Sequence, residues 1–105
     1  MSKALCKLVK LSDVPILTES GSLPLQPDDV VNGYITLFPR DNIEVAKEIY
    51  FDGVAANIYW VNRAKLDAAD YVIMETEEGS YMLIGPGDDP MRPIPVDCLS
   101  QKIVN

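Results

Sequence analysis

Apolar and polar residues alternate along the first part of the chain with a period near two. Residues 3–11 follow this pattern with one interruption, at Lys7, and they predict a first strand. Residues 30–38 are dominated by β-branched and aromatic side chains and predict a second strand, which ends at Pro39. Gly33 lies inside that second run, and a glycine there is typical of a bulge or of a close backbone approach.

Residues 41–53 change to the spacing of a helix. Their regularly spaced apolar side chains are Ile43, Ala46, Ile49 and Tyr50. Asp41 and Asn42 are good N-cap residues immediately before that stripe, and Gly53 is a natural C-terminal stop. The pattern predicts one principal helix in this segment.

Between the first two predicted strands, residues 12–29 carry proline or glycine at several positions. These are Pro15, Gly21, Pro24 and Pro27. Because such residues interrupt helices and strands, the segment predicts a long loop without regular structure, held against the body of the domain by its apolar side chains.

Residues 56–63 fit either of two elements. Alanines on both sides would support a helix that continues through the segment. However, the β-branched and aromatic run at residues 58–61 lies between Asn57 and Asn62, and asparagine is a poor helix former. A strand is therefore predicted, followed by a short helical turn at residues 64–69.

Residues 71–76 and 80–84 give the strongest local signal in the chain. Both runs are rich in β-forming residues, and Glu77, Glu78 and Gly79 connect them with a glycine able to adopt positive φ. This pattern predicts a β-hairpin. The glycine- and proline-rich tail that follows predicts an extended loop, with residues 96–104 forming a last short strand or a turn.

These elements together predict a single α+β domain, with a mainly antiparallel sheet of about five strands and one principal helix packed on one face. A chain of 105 residues of which 48% are hydrophobic is long enough to bury its own core. The hairpin strands show no clearly polar face. We expect the apolar surface left over on them to be covered by a second copy of the chain, in a homodimer.

The negative charge of the chain is concentrated in its second half. The formal net charge is −7. Residues 66–91 contain no base, and their acids are Asp67, Asp70, Glu75, Glu77, Glu78, Asp88 and Asp89. Such a surface repels phosphate, which argues against binding to a nucleic acid backbone, and it attracts a basic protein surface. The alternative is acidity that serves solubility alone.

Histidine is absent from the chain, and this excludes several kinds of site. Catalytic triads, histidine general bases and the Cys/His sets that hold zinc all require it. The acids lack the alternate spacing of a calcium-binding loop. We therefore assign no catalytic residue, no cofactor and no metal ligand.

The cysteines and the hydropathy pattern bear on location. Cys6 and Cys98 lie far apart and are expected to be small core residues rather than a disulfide. No apolar run reaches the roughly 18 residues of a membrane-spanning helix, and the N-terminal segment lacks the continuous apolar run of a signal peptide. These features predict a cytoplasmic protein that does not bind membranes.

Two hypotheses for function follow from the sequence. In the first, the chain is a small interaction module of inhibitor, immunity or adaptor type that docks on a basic partner protein. Its partner-binding acids are predicted to be Glu75, Glu77, Glu78, Asp88 and Asp89.

In the second hypothesis the domain binds a small molecule, in a pocket between sheet and helix or across a dimer interface. The residues predicted to line this pocket are Tyr34, Tyr50, Trp60 and Arg63. Residues of these types also occur in cores and protein interfaces, and that reading is favoured for the aromatic side chains.

Overall fold

Six strands and four short helices follow one another along residues 4–103, the part of the chain that the computed structural model describes. The strands are β1 (Leu5–Lys10), β2 (Ile35–Pro39), β3 (Ala56–Val61), β4 (Val72–Glu75), β5 (Tyr81–Ile84) and β6 (Leu99–Ile103). The helices are α1 (Val14–Ser20), α2 (Pro27–Asn32), α3 (Ile43–Tyr50) and α4 (Arg63–Ala68). Short 3-10 turns lie at Leu11–Asp13, Arg40–Asn42 and Val96–Cys98.

The strands form one sheet in the order β4-β5-β2-β1-β3-β6, and every neighbouring pair is antiparallel. The predicted α+β class with an antiparallel sheet is therefore confirmed. The strand predicted at residues 56–63 is β3, which pairs with β1 from Cys6↔Trp60 to Lys10↔Ala56. The predicted hairpin is β4–β5, in the register Val72↔Ile84 to Glu75↔Tyr81.

A hydrophobic cluster lies on each face of the sheet, because successive side chains of a strand point to opposite sides. The face that packs against α1, α4 and the C-terminal segment is called the first face, and the opposite one the second face. The buried strand residues of the first face include Leu5, Val9, Ile35, Leu37 and Leu83. The second face carries Cys6, Leu8, Phe38 and Ile58 beneath Ile43 and Ala46 of α3.

Helix α3 covers only part of the second face. The buried cluster there draws its strand residues from β1, β2 and β3 and none from β4 or β5. The register places Met74 and Met82 side by side on this face, next to the pair Val72 and Ile84. Val72 and Met74 remain 54% and 53% exposed. The outer two strands therefore leave an apolar surface beside the helix.

The prediction of a long irregular loop at residues 12–29 is wrong, because this segment contains α1 and the first half of α2. Pro15 and Pro27 lie in the first turn of these helices, where a missing N–H breaks no helical hydrogen bond. Gly21 and Gly33 end the helices with φ of 79° and 77°. The prolines and glycines are thus start and stop signals, and Gly33 is not a bulge in a strand.

The principal predicted helix is α3, which ends at Tyr50, before Gly53. The side chain of Asn42 does not cap this helix as predicted. Its amide instead donates from Nδ2 to the carbonyl oxygen of Gly79 at 3.1 Å. Asn42 therefore links the start of α3 to the β4–β5 turn.

A buried ion cluster connects β1 to α2. The Lys7 ammonium, fully buried, donates hydrogen bonds to Asp28 Oδ2 at 3.1 Å and to Asp29 Oδ1 at 2.7 Å. It donates a third to the carbonyl oxygen of Thr36 on β2 at 3.0 Å. Lys7 therefore interrupts the apolar pattern of β1 because its side chain has three buried partners.

Side chains of this cluster and of Gln26 hydrogen-bond backbone groups beyond the point where the β1–β2 hydrogen-bond ladder ends. Strands β1 and β2 pair at Leu5↔Pro39 and Cys6↔Phe38 and then separate. Beyond that point Asp29 Oδ1 accepts the N–H of Thr36 at 2.9 Å, and Lys7 donates to the carbonyl of the same residue. Gln26 Oε1 accepts the N–H of Lys10 at 2.7 Å. Side chains of β1 and the α2 segment thus satisfy backbone groups that no strand reaches.

We predict that Lys7→Met lowers the free energy of unfolding by about 3–5 kcal/mol, because it leaves two buried carboxylates without their cation. Urea denaturation measures this change. Lys65→Met removes an exposed lysine and should change stability by less than about 0.5 kcal/mol. A loss of under about 1 kcal/mol for Lys7→Met would contradict the structural role of the cluster.

Candidate functional site

The five acids predicted to bind a partner separate into two groups. Glu75 ends β4, and Glu77 and Glu78 lie in the turn that connects β4 to β5. Asp88 and Asp89 lie in the loop after β5, at the opposite end of the same hairpin. The structure therefore brings the three glutamates together and places the two aspartates elsewhere.

The four residues predicted to share one ligand pocket line three different concavities. Tyr50 lines a cleft of about 260 Å³ between α3 and the β4–β5 turn. Tyr34 lines a cleft of about 340 Å³ beside β4 and β5. Trp60 and Arg63 lie together in a third, of about 630 Å³.

The cleft at α3 has an apolar floor and one polar wall. Helix α3 contributes Val45, Ala46, Ile49 and Tyr50, and Phe38 closes the floor. The opposite wall consists of Glu78, Gly79 and Ser80 from the turn. The hydrogen bond from Asn42 to Gly79 joins these two walls at one end of the cleft.

The neighbouring cleft lies over the uncovered part of the second face. Tyr34, Met74 and Met82 line it together with Thr76 and the three glutamates. Glu78 lines both clefts, so the two meet at this residue. We call the pair of clefts the acidic groove. It is lined by three carboxylates and by no lysine or arginine.

The carboxylates of the acidic groove are exposed and lack a countercharge. Glu75, Glu77 and Glu78 are all exposed, and none of them forms an ion pair with a side chain of residues 4–100. Their negative charges therefore sum to a negative electrostatic potential along the edge of the acidic groove, which we call its rim.

The turn that carries two of these glutamates is held in place by local hydrogen bonds. The hydroxyls of Thr76 and Ser80 lie 2.8 Å apart, and Thr76 Oγ1 accepts the N–H of Glu78 at 3.3 Å. Gly79 has φ of +85°, and a Cβ on it would lie 3.3 Å from Asn42 Nδ2. A side chain at this position would disturb both the backbone and the link to α3.

The cleft around Trp60 and Arg63 has a different character. It lies between β3, α4 and β6, and charges of both signs line it, from Arg63, Lys65 and Asp97. Neither Tyr34 nor Tyr50 contributes to it. Its lining residues are separate from those of the acidic groove.

The buried ion cluster is the feature that sequence reasoning missed. Burial raises the pKa of the Asp28 carboxyl; the Lys7 charge acts in the opposite direction, and the charge of Asp29 adds to the rise. Asp28 Oδ1 has no hydrogen-bond partner. These side chains line none of the three clefts, so we interpret the cluster as structural.

A signal for the cluster was present in the sequence. Gln26 and Asp29 form a reciprocal capping box around the start of α2, with Pro27 at its first position. A polar residue, a proline and an acid at this spacing indicate a helix start. Lys7 in the middle of an apolar strand then required buried anions nearby.

The cysteines lie in the two separate cores. Cys6 belongs to the cluster on the second face and Cys98 to the cluster on the first face, and both are free and buried. Burial raises the pKa of each thiol, which keeps it in the less reactive protonated form. The prediction of two core residues without a disulfide is confirmed.

No helix within residues 4–103 is long and apolar enough to cross a membrane. No group of three or more cysteine, aspartate or glutamate side chains in the same range is placed to hold a metal ion.

Comparison with protein-family models, with curated proteins and with solved structures found no match to this chain. Its function is therefore inferred from the shape, polarity and charge of its own surface.

We predict that Asp28→Asn weakens the dependence of stability on pH. The folded protein keeps the Asp28 proton to a higher pH than the unfolded chain, whose aspartates titrate near 3.8. The contribution of Asp28 to stability therefore falls as the pH rises from about 4 through the raised pKa, since this carboxyl binds more protons in the folded state there. Asparagine does not titrate, so this fall should disappear.

Urea denaturation at several pH values between 4 and 8 measures this effect. The stability of Asp28→Asn relative to the natural protein should increase with pH. Asp67→Asn, at an exposed position, is the control and should keep the natural pH profile. Parallel profiles for Asp28→Asn and the natural protein would show that Asp28 titrates normally.

Proposed function

We propose that this domain is a protein-interaction module whose acidic groove binds a basic, amphipathic segment of a partner protein. The observation that carries the proposal is the combination of an exposed apolar floor with three carboxylates that have no countercharge. A ligand that covers this floor and places positive charges at its rim satisfies both features.

The apolar part of the groove supplies binding energy. Val45 and Ile49 on α3 are 57% and 64% exposed, and Met74 on β4 is 53% exposed. Single exposed apolar residues are ordinary, but neighbouring ones beside a cleft are typical of protein-binding surfaces. Methionine pairs such as Met74 and Met82 adapt their shape readily to a bound side chain.

The charged part of the groove selects the partner. Three carboxylates at the rim attract lysine and arginine side chains and increase the rate of encounter. The formal net charge of −7 acts in the same direction. Phosphate-rich ligands such as nucleic acids are repelled by the same charges.

The small-molecule hypothesis is less well supported. Its four predicted residues do not converge on one pocket. Of the two clefts of the acidic groove, the one of about 260 Å³ is below the range for small-molecule sites, roughly 300–1,000 Å³, and the one of about 340 Å³ is at its lower end. A protein segment can fill both clefts at once.

Two predictions from the sequence, the cytoplasmic location and the homodimer, remain proposals. Free, buried cysteines fit a reducing compartment, so we propose a cytoplasmic location. The homodimer stays a prediction, and light scattering would test it. Glu75 at the end of β4 and Glu77 and Glu78 in the following turn place like charges at this edge of the sheet, which favours a partner of opposite charge over a second copy.

Binding of synthetic peptides tests the proposal. One labelled peptide alternates lysine with valine, as in a strand, and another places lysine and leucine at helical spacing. We expect at least one to bind, and the variant Glu75→Gln/Glu77→Gln/Glu78→Gln to bind it about tenfold more weakly, since each exposed charge contributes up to about 0.5 kcal/mol. Fluorescence anisotropy measures both affinities.

A matched variant separates the groove from overall charge. Asp67→Asn/Asp88→Asn/Asp89→Asn also removes three exposed acids but lies outside the groove, and it should bind nearly as well as the natural protein. An equal loss in both variants would show that overall charge alone acts. Absence of binding by every basic peptide would refute the proposed function.

A further inference from the structure

The acidic groove is bordered by the open edge of the sheet. Strand β4 is the first in the order β4-β5-β2-β1-β3-β6, so among the strands of residues 4–103 its only neighbour is β5. Its side chains Val72 and Met74 are the exposed apolar residues of the second face. The outer side of β4 therefore adjoins the apolar floor.

The register shows which backbone groups of β4 point outward. The N–H of Thr76 donates to the carbonyl of Ser80 at 3.0 Å, and these residues continue the register of the hairpin. In an antiparallel pair, hydrogen-bonded residues alternate with residues whose N–H and C=O point away from the partner. Ile73 and Glu75 are the residues of β4 that point away from β5.

Ile73 and Glu75 thus present two N–H donors and two C=O acceptors along the open edge of β4. The two residues lie about 7 Å apart, which is the repeat of an extended chain. This is the pattern that one more extended strand needs in order to pair with the sheet.

Three of the usual protections of an edge strand, namely lysine, proline and a bulge, are absent from β4, although the strand is only four residues long. Exposed edges are commonly blocked by lysine, proline or a bulge. Strand β4 contains no lysine and no proline, and its pairing with β5 is regular. Its only charged residue is Glu75, with Glu77 and Glu78 following in the turn.

The same acids disfavour a second copy of the chain at this edge. Antiparallel self-pairing centred on Met74 would bring the acidic turn of each copy, with Glu77 and Glu78, to the end of β4 that follows Asp70 in the other copy. Like charges placed opposite each other destabilise a strand pair. A strand that carries lysine or arginine meets no such repulsion.

On this basis, and resting on the proposed function, we propose that the partner contributes an extended basic segment that adds to β4 as a further antiparallel strand. Its apolar side chains lie beside Val72 and Met74 on the second face. Its alternate side chains are basic and lie on the face of Glu75, within reach of the acidic turn. Backbone hydrogen bonds go to Ile73 and Glu75.

Backbone methylation of the lysine–valine peptide tests this inference and leaves the protein unchanged. In the proposed pairing the lysines lie opposite Ile73 and Glu75, so their N–H groups point at β4, while the valine N–H groups point to solvent. N-methylation of the lysines should weaken binding about tenfold or more, and N-methylation of the valines should have little effect.

Amide hydrogen exchange provides the matching readout on the protein. Addition of the unmodified lysine–valine peptide should slow exchange at Ile73 and Glu75, because their N–H groups become hydrogen-bonded. The peptide with methylated lysines should leave their exchange unchanged at the same concentration.

The outcomes separate this inference from the proposed function. Equal binding by both methylated peptides, or binding by the helical peptide alone, would overturn strand addition and leave the groove as the docking site. Loss of binding only when the valines are methylated would overturn the antiparallel arrangement. Failure of all basic peptides to bind would overturn both proposals.

Discussion

One buried ammonium group connects the two halves of this sheet. Lys7 on β1 reaches Asp28 and Asp29 on α2 and the backbone of Thr36 on β2, at the point where the β1–β2 ladder has ended. Without these contacts the backbone N–H and C=O of Thr36 would lack partners on the side of β1, and β2 carries the β5–β4 hairpin. The position of the outer strands relative to α3 therefore depends on this cluster.

The position of the outer strands relative to α3 determines the shape of the acidic groove, which lies between them. The amide of Asn32, at the end of α2, donates to the Thr36 hydroxyl at 2.9 Å and accepts from the Tyr50 hydroxyl at 3.3 Å. This chain links the segment that holds Lys7 to a wall of the cleft at α3. Helix α3 is too short to cover the whole second face, so Met74 and Met82 remain beside it. The glutamates surround this opening.

Much of the fold was readable from local pattern, and the site was not. The β-rich runs predicted β3 and the β4–β5 hairpin, because strand propensity and a glycine-containing turn act locally. Residues 12–29 were misread because proline and glycine both interrupt helices and begin or end them. Glu75, Glu77 and Glu78 are close in sequence, and they line the same cleft. Their association with Tyr34 and Met82 depends on strand register and on which strands α3 covers, and neither is encoded locally.

Backbone NMR of the isotope-labelled natural protein would show whether the acidic groove is a docking surface. On titration with the lysine–valine peptide, we expect shift changes in α3, β4, β5 and the turn between the hairpin strands. The amides near Trp60 and Arg63, in a cleft lined by other residues, should not respond. Shift changes centred on that cleft, or scattered evenly over the acidic residues of the whole surface, would rule out docking in the acidic groove.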